Sequence, residues 1–209
     1  MVSVPPVKGL VLAGGQSVRM ANDKAAMLFM GRPMLSRAVE LLQAELEDVR
    51  VSVRSDQADD AVRNCYELIE DQLEDAGPAA GILSAHLARR DSAWLVIACD
   101  MPLLNAAMIG ELLAARDAGF DATAWASADD GTPEPLCTIY EPGTLAAFLA
   151  QVRSGGSPAP RAWLANARVR LLDSPGPDLL NSANTQAELE RMTGDSGSPS
   201  GATRQDEHE

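Results

Sequence analysis

Thirteen consecutive residues carry the densest chemistry in this chain: Leu12-Ala13-Gly14-Gly15-Gln16-Ser17-Val18-Arg19-Met20-Ala21-Asn22-Asp23-Lys24. Two glycines follow an apolar run directly, so the backbone can turn sharply and bring N–H groups close to anionic oxygens. Arg19 and Lys24 add fixed positive charge to the same loop. The string is neither G-x-x-x-x-G-K-[ST] nor G-x-G-x-x-G, so it matches neither common phosphate-loop pattern. Two carboxylates stand at comparable places. Asp100 ends the apolar run Ala93-Trp94-Leu95-Val96-Ile97-Ala98-Cys99, and Asp71 precedes Gly77-Pro78 and Gly81. Each has a plainer reading: Asp100 as the N-cap of the next helix, Asp71 as a solvated member of an acidic loop with Glu70, Glu74 and Asp75. Asn184-Thr185 near the end could likewise be no more than a helix cap.

Elements of alternating type must position these residues. Residues 7–13 form a largely apolar run, as expected of a buried parallel strand. Residues 33–46 place Leu35, Ala38, Val39, Leu42 and Leu46 at helical spacing, with Pro33 suited to the first turn. Residues 48–54 alternate apolar and polar, which predicts a half-buried or edge strand, and 65–70 predict a third. A helix towards Arg90 follows Gly77-Pro78, residues 93–99 read as a central strand, and a helix runs over 104–116. Strands over 121–126, 136–140 and 169–172 and helices over 144–152 and 186–192 complete the pattern. Repeated strand–helix units predict an α/β fold, a mostly parallel sheet with helices on both faces, and ligands at the carboxyl ends of its strands. The methionines Met20, Met27, Met30 and Met34 read as adaptable core, and His86 as structural or exposed. Cys99 reads as a buried strand residue without redox function.

Composition narrows the partners. The chain has 209 residues, enough for one sizeable core, and 17 Lys+Arg against 30 Asp+Glu give it a formal net charge of -13. Long-range repulsion therefore excludes a general nucleic-acid or acidic-membrane binder, while a focused site for one small anion stays open. The cysteines Cys65, Cys99 and Cys137 are far apart, without a CxxC pair, and His86 and His208 are the sole histidines. A disulfide framework and a Cys/His zinc site are thus not expected, and a reducing cytoplasm is the expected compartment. The N-terminal apolar run lacks a basic n-region and a cleavage site, and no stretch approaches the ~20 apolar residues of a membrane span. Residues 1–192 are expected to form the domain. Residues 193–209, Gly, Ser and charge with almost nothing apolar, are expected to be a disordered acidic tail.

L-A-G-G-x-S-x-R-M-x-x-D-K resembles the signature of the molybdenum cofactor nucleotidyltransferases, and of their guanylyltransferase branch in particular. The likeness continues in order through Gly31-Arg32-Pro33-Met34-Leu35, Asp71 with Gly77-Pro78-Ala79-Ala80-Gly81, Ala98-Cys99-Asp100-Met101-Pro102-Leu103-Leu104, Glu134-Pro135-Leu136 with Tyr140, and Asn184-Thr185. It implies a single three-layer α/β/α, Rossmann-like nucleotidyltransferase domain. It further implies transfer of GMP from GTP to molybdenum-molybdopterin, giving the guanine dinucleotide cofactor and pyrophosphate, with molybdenum-enzyme maturation proteins as conceivable partners. By the same resemblance Gly14, Gly15 and Arg19 hold the triphosphate, Lys24 meets the reacting phosphate and Asp100 holds Mg²⁺. Leu12, Ala13 and Asp71 would line the guanine and ribose pocket, and Asn181, Ser182 and Asn184 would face the acceptor.

The match departs from the pattern at three places: Ala21 where the family has Gly, Val53-Arg54 where it often has Asn-Arg, and Ser182 for the first Asn of N-x-N-T. A cytidylyltransferase for the same cofactor, a related pyrophosphorylase and a catalytically silent binding homologue are the alternatives. Leu12-Ala13-Gly14-Gly15 favours guanine among them.

Overall fold

The computed structural model describes residues 4–14 and 23–194. The first apolar run forms β1 (Val7–Leu12) and the central one forms β6 (Ala93–Ala98), which is buried at every position. The two pair in parallel with Leu12 opposite Ala98. Strands this apolar have no polar face to turn to water, so they settle mid-sheet under helices on both sides. On the other flank of β1 lies β4 (Val49–Val53), parallel and with Leu12 opposite Ser52; β5 (Leu68–Glu70) closes that edge. β4 is thus interior to the sheet rather than at its edge. Its alternation arises because Arg50 pairs with Asp48 and Glu67, while the second polar position, Ser52, is itself buried.

Beyond β6 come β8 (Pro133–Tyr140), β7 (Ala122–Ala126) and β9 (Val169–Leu172), so the seven-stranded sheet of the described residues has the order β5-β4-β1-β6-β8-β7-β9. β8 runs antiparallel to both neighbours and the remaining pairs are parallel, as the expectation of a mostly parallel sheet allows. Alternation along the strands splits the core in two. Leu95 and Ile97 face α1 (Met34–Gln43) and α3 (Ala106–Ala115), whereas Trp94 and Val96 face α2 (Pro78–Ala88), α4 (Pro142–Arg153) and α5 (Pro160–Leu164). The result is the three-layer α/β/α arrangement expected. Among the described residues no helix is long and apolar enough to cross a membrane.

Local differences from the sequence reading have physical causes. A small hairpin, β2 (Leu28–Phe29) and β3 (Arg32–Pro33), turns through Met30 and Gly31, both at positive φ (50° and 78°). A two-residue hairpin requires that backbone, and it points Met30 outward at 78% exposure, so Met30 is not core while Met34 is. Met20 lies outside the described residues. Residues 65 and 66 belong to a turn rather than to β5, which starts only at Leu68. His86 is buried, and burial with Arg90 nearby holds its pKa below the usual histidine range. The last helix, α6 (Gln186–Gly194), packs Leu189 on Phe29 and Met34; the rest of the expected tail lies outside the described residues.

Gly81, inside α2, has a steric reason to be glycine. A Cβ there would come within 2.1 Å of Ser52 Oγ and 2.7 Å of Leu12 Cδ2. Gly→Ala inside a helix ordinarily gains about 1 kcal/mol. Here overpacking should reverse the sign, with Gly81→Ala destabilising by roughly 1–3 kcal/mol in urea unfolding; a stabilised variant would contradict this packing.

Candidate active site

The register of the sheet assembles the site. β4, β1 and β6 lie side by side and parallel, so the residues after each emerge at one end. The ladder continues one step past the strands: Ala13 N–H donates to Ser52 O (3.0 Å), Cys99 N–H to Leu12 O (3.1 Å) and Asp71 N–H to Val53 O (2.8 Å). Gly14 follows, where space is short. A Cβ on it would lie 3.2 Å from Arg54 N and 3.3 Å from Asp71 Oδ2, so the glycine lets the chain pass against the end of β4.

A cleft opens at this end, lined by Leu12, Ala13, Gly14, Lys24, Asp100 and Leu136 among others. Lys24 Nζ lies 2.8 Å from Asp100 Oδ2 and donates to Asn184 Oδ1 at 2.5 Å, joining segments 76 and 160 residues away. Each partner is independently held. Arg37 of α1 donates to Pro102 O (3.1 Å) and Leu104 O (3.0 Å), fixing the loop after Asp100. Ala183 N–H donates to Asp100 O at 2.8 Å, which carries Asn184 to the lysine. Asp100 does not cap α3; Asn105 does, accepting from Met108 N–H at 3.2 Å. Thr185 caps α6 by accepting from Glu188 N–H, whereas the Asn184 side chain serves the cleft.

Lys24 itself sits in a short helical turn begun by Asp23. The Asp23 carboxylate accepts from Ala25 N–H, and its carbonyl from Ala26 and Met27 N–H. Arg63, 1% exposed, binds both Asp23 oxygens at 2.7 Å and the Ala13 carbonyl at 3.1 Å. Hydrogen bonding to this guanidinium holds the Asp23 carboxyl below the usual carboxylate range, against the opposing effect of burial.

Asp71 stands behind Gly14 and differs from the other carboxylates. Burial lifts its pKa to about 6, with the Ser52 hydroxyl (2.7 Å to Oδ1) and the Arg54 charge working against the rise. A desolvated carboxylate beside a cleft can accept paired N–H donors from a ligand more strongly than one in water. Asp71 is half-buried and bonded to Ser52 rather than fully solvated. Glu134 is also raised by burial; its Oε1 accepts from Leu136 N–H, so it braces the cleft wall. Cys99, buried, has its thiol pushed up to about 12 by burial first and the Asp100 charge second, which suits an unreactive residue.

Of the residues singled out in the sequence, Leu12, Ala13, Gly14, Lys24, Asp100 and Asn184 gather here, with Asp71 behind Gly14. Gly15 and Arg19 lie outside the described residues. Asn181 bonds to Asp178 at 3.0 Å, and of Asn181, Ser182 and Asn184 the last is the one that bonds to Lys24. Sequence reading missed Arg63 and Ser52. Ser52 is adjacent to the place of the absent Asn, whereas nothing in the local sequence marks Arg63.

Comparison with known proteins fits this geometry. The family model described as the MobA-like NTP transferase domain matches residues 9–171. The bifunctional molybdenum cofactor biosynthesis protein of Synechocystis is 37% identical over 147 residues, spanning 70% of this chain and 42% of that protein. Molybdenum cofactor guanylyltransferase of Xanthomonas euvesicatoria is 42% identical over 111 residues, spanning 52% of this chain and 54% of that one. The chain thus covers about half the length of these two relatives. For the probable guanylyltransferase of Opitutus terrae the shares are 70% and 72%, at 36% identity. Molybdopterin-guanine dinucleotide biosynthesis protein A of Archaeoglobus fulgidus superposes with a TM-score of 0.71 at 21% identity, over 88% of this chain and 95% of that one. A 4-diphosphocytidyl-2C-methyl-D-erythritol synthase from Anaerococcus prevotii reaches 0.68 at 11%, over 91% and 95%. Structural likeness at these identities shows a shared fold.

The raised pKa of Asp71 makes a stability prediction. Because the folded value, about 6, exceeds that of the unfolded chain, its contribution is full below pH ~4 and is lost as pH rises through about 6. Asp71→Asn should therefore raise stability by roughly 1–2 kcal/mol at pH 8 and by much less at pH 4, read from denaturant midpoints. An unchanged or lowered midpoint at pH 8 would contradict the assigned burial.

Proposed function

Given that this chain belongs to the MobA-like NTP transferase family, we propose that it transfers GMP from GTP to molybdenum-molybdopterin. An oxygen of the acceptor's phosphate attacks the α-phosphorus of GTP. The bond from that phosphorus to the bridging oxygen breaks, and pyrophosphate leaves with the electron pair. The nucleophile is already an anion near neutral pH, so the reaction needs no strong base. What it needs is alignment of two polyanions and neutralisation of charge on the leaving group.

The observation that carries this reading is the position of Lys24. Its ammonium lies between Asp100, at the end of β6, and Asn184, on the last loop, in the cleft that Gly14 also lines. The nucleotide has its place on the Leu12–Ala13–Gly14 side, where the half-buried Asp71 carboxylate can accept from the N–H groups of guanine. The acceptor has its place on the Asn184 side, and Lys24 can reach the phosphate groups of both. Arg19, in the same loop by sequence, is assigned to the triphosphate.

The donor chemistry of Asp100 fits Mg²⁺. It is a hard oxygen ligand, 15% exposed at its side chain and with one oxygen engaged by Lys24. Among the described residues no group of three or more His, Cys, Asp or Glu gathers, at Asp100 or elsewhere, so Asp100 is a single carboxylate rather than part of a cage. Mg²⁺ keeps several waters and asks for only one or two protein carboxylates beside the phosphates. Bound at Asp100, it would supply countercharge to the departing pyrophosphate.

Lys24→Ala and Asp100→Ala should each lower pyrophosphate release from GTP and the molybdenum-loaded cofactor by at least about 100-fold. Wild-type rates in both variants would refute the mechanism. In thermal-shift measurements with Mg²⁺, GTP should stabilise the protein more than CTP or ATP. Preferential stabilisation by CTP would replace guanine with cytosine in this assignment.

A further inference from the structure

Arg63 has no place in the transfer chemistry, yet it is the most deeply buried cation of the site, and its donors converge on the loop that begins the active site. It sits in the turns between β4 and β5. From there its guanidinium crosses to Ala13, where β1 ends, and to Asp23, where the described chain resumes. We infer that Arg63 is a positioning residue: one guanidinium clasps both ends of the glycine loop and thereby aims Lys24 at the reacting phosphates. The inference rests on the guanylyl-transfer reading for its consequence, not for its geometry.

Counting donors separates this role from direct phosphate binding. Nε lies 3.4 Å from Ala13 O; Nη2 is shared between Ala13 O (3.1 Å) and Asp23 Oδ1 (2.7 Å). Nη1 meets Asp23 Oδ2 at 2.7 Å and lies 3.4 Å from Asp60 Oδ1. Every nitrogen is engaged inside the protein, the fork is spent on a carboxylate and a carbonyl, and the positive charge is neutralised by Asp23. A phosphate arriving in the cleft would have to break this ion pair to be bound by Arg63.

The path from clasp to chemistry is short. Asp23 begins the turn, its carboxylate holding Ala25 N–H at 3.1 Å and its carbonyl holding Ala26 N–H at 3.0 Å. Lys24 is the next residue and spans to Asp100 and Asn184. Without the guanidinium, Asp23 loses its charged partner and its tie to the Ala13 carbonyl at the end of β1. Near-attack alignment tolerates little displacement: a shift of about 1 Å can lower a rate by ~10²-fold. Lysine cannot replace the fork, because a single ammonium does not reproduce the planar, bidentate geometry that holds Asp23 and Ala13 together.

The test combines Arg63→Ala, Arg63→Lys and Asp23→Asn with kinetics and hydrogen exchange on the full chain. Arg63→Ala and Asp23→Asn should each lower kcat for pyrophosphate release about 10–100-fold while KM for GTP moves less than about threefold, because Ala13 stays held by its N–H to Ser52 O and neither residue contacts Asp71. The double variant should be no worse than the poorer single variant by more than about threefold. Methylguanidinium should restore part of kcat in Arg63→Ala, and Arg63→Lys should stay closer to Ala than to wild type. In all variants the amides of Ala25, Ala26 and Met27 should exchange faster while those of β6 stay protected. Should Arg63→Ala fail to fold, Asp23→Asn and Arg63→Lys carry the same readings. Wild-type kcat with unchanged exchange, or losses that multiply in the double variant, would overturn the clasp. The exchange arm uses no substrate, so a wild type that does not turn over GTP would indict the proposed reaction and leave the clasp separately judged.

Discussion

Parallel pairing of β4, β1 and β6 in fixed register is the constraint on which the site depends. Leu12 stands opposite Ser52 on one side and Ala98 on the other. Whatever follows these residues must therefore meet at one end of the sheet: Gly14, Arg54 and Asp100. The pairing is secured by burial, since β6 has no exposed residue and the β1 interior is apolar on both faces. A slip of one residue would turn Leu95 and Ile97 from the α1–α3 core to the α2–α4 core, and would move Asp100 away from the Gly14 loop. The geometry of the candidate site is thus a consequence of the hydrophobic core, with Arg37 and Ala183 making the finer adjustments.

The charge arrangement gives the net of -13 a specific meaning. The described cations around the cleft are paired: Lys24 with Asp100, Arg63 with Asp23, Arg54 with Asp56. This region is a set of preoriented ion pairs rather than a bare positive patch. Such an arrangement holds its dipoles in place before substrate arrives, so little reorganisation is required as charge develops. It also shows how so acidic a chain can hold positive charge where the proposed reaction needs it. The countercharge is local, and part of it falls to a divalent ion at Asp100 in the proposed reaction.

Much of this arrangement is legible in the sequence because it rests on local signals. Apolar runs that end in Gly14 or in Asp100-Met101-Pro102 mark both the strands and the junctions after them. The L-A-G-G…D-K string marks the loop. Features set by tertiary contact are less legible. The 48–54 stretch alternates like an edge strand, because a buried serine that bonds a half-buried aspartate looks no different from an exposed one. Met30 resembles the neighbouring core methionines until the hairpin fixes its backbone at positive φ. Asn181, Ser182 and Asn184 look alike in sequence, yet the Ala183–Asp100 hydrogen bond selects Asn184 for the cleft and leaves Asn181 to its own turn. Arg63 is the clearest case: its partners are 50 and 40 residues away, and the surrounding turn residues have no periodicity to reveal it.

The central claim is that this arrangement joins GMP to a molybdenum-bound pterin phosphate. The most direct measurement incubates the full chain with molybdenum-loaded cofactor, Mg²⁺ and one nucleoside triphosphate at a time, and identifies the dinucleotide product by mass. The account predicts the guanine dinucleotide with GTP, together with an equal amount of pyrophosphate, and little product with CTP or ATP. A cytosine dinucleotide as the dominant product, or no dinucleotide with any triphosphate, would contradict it.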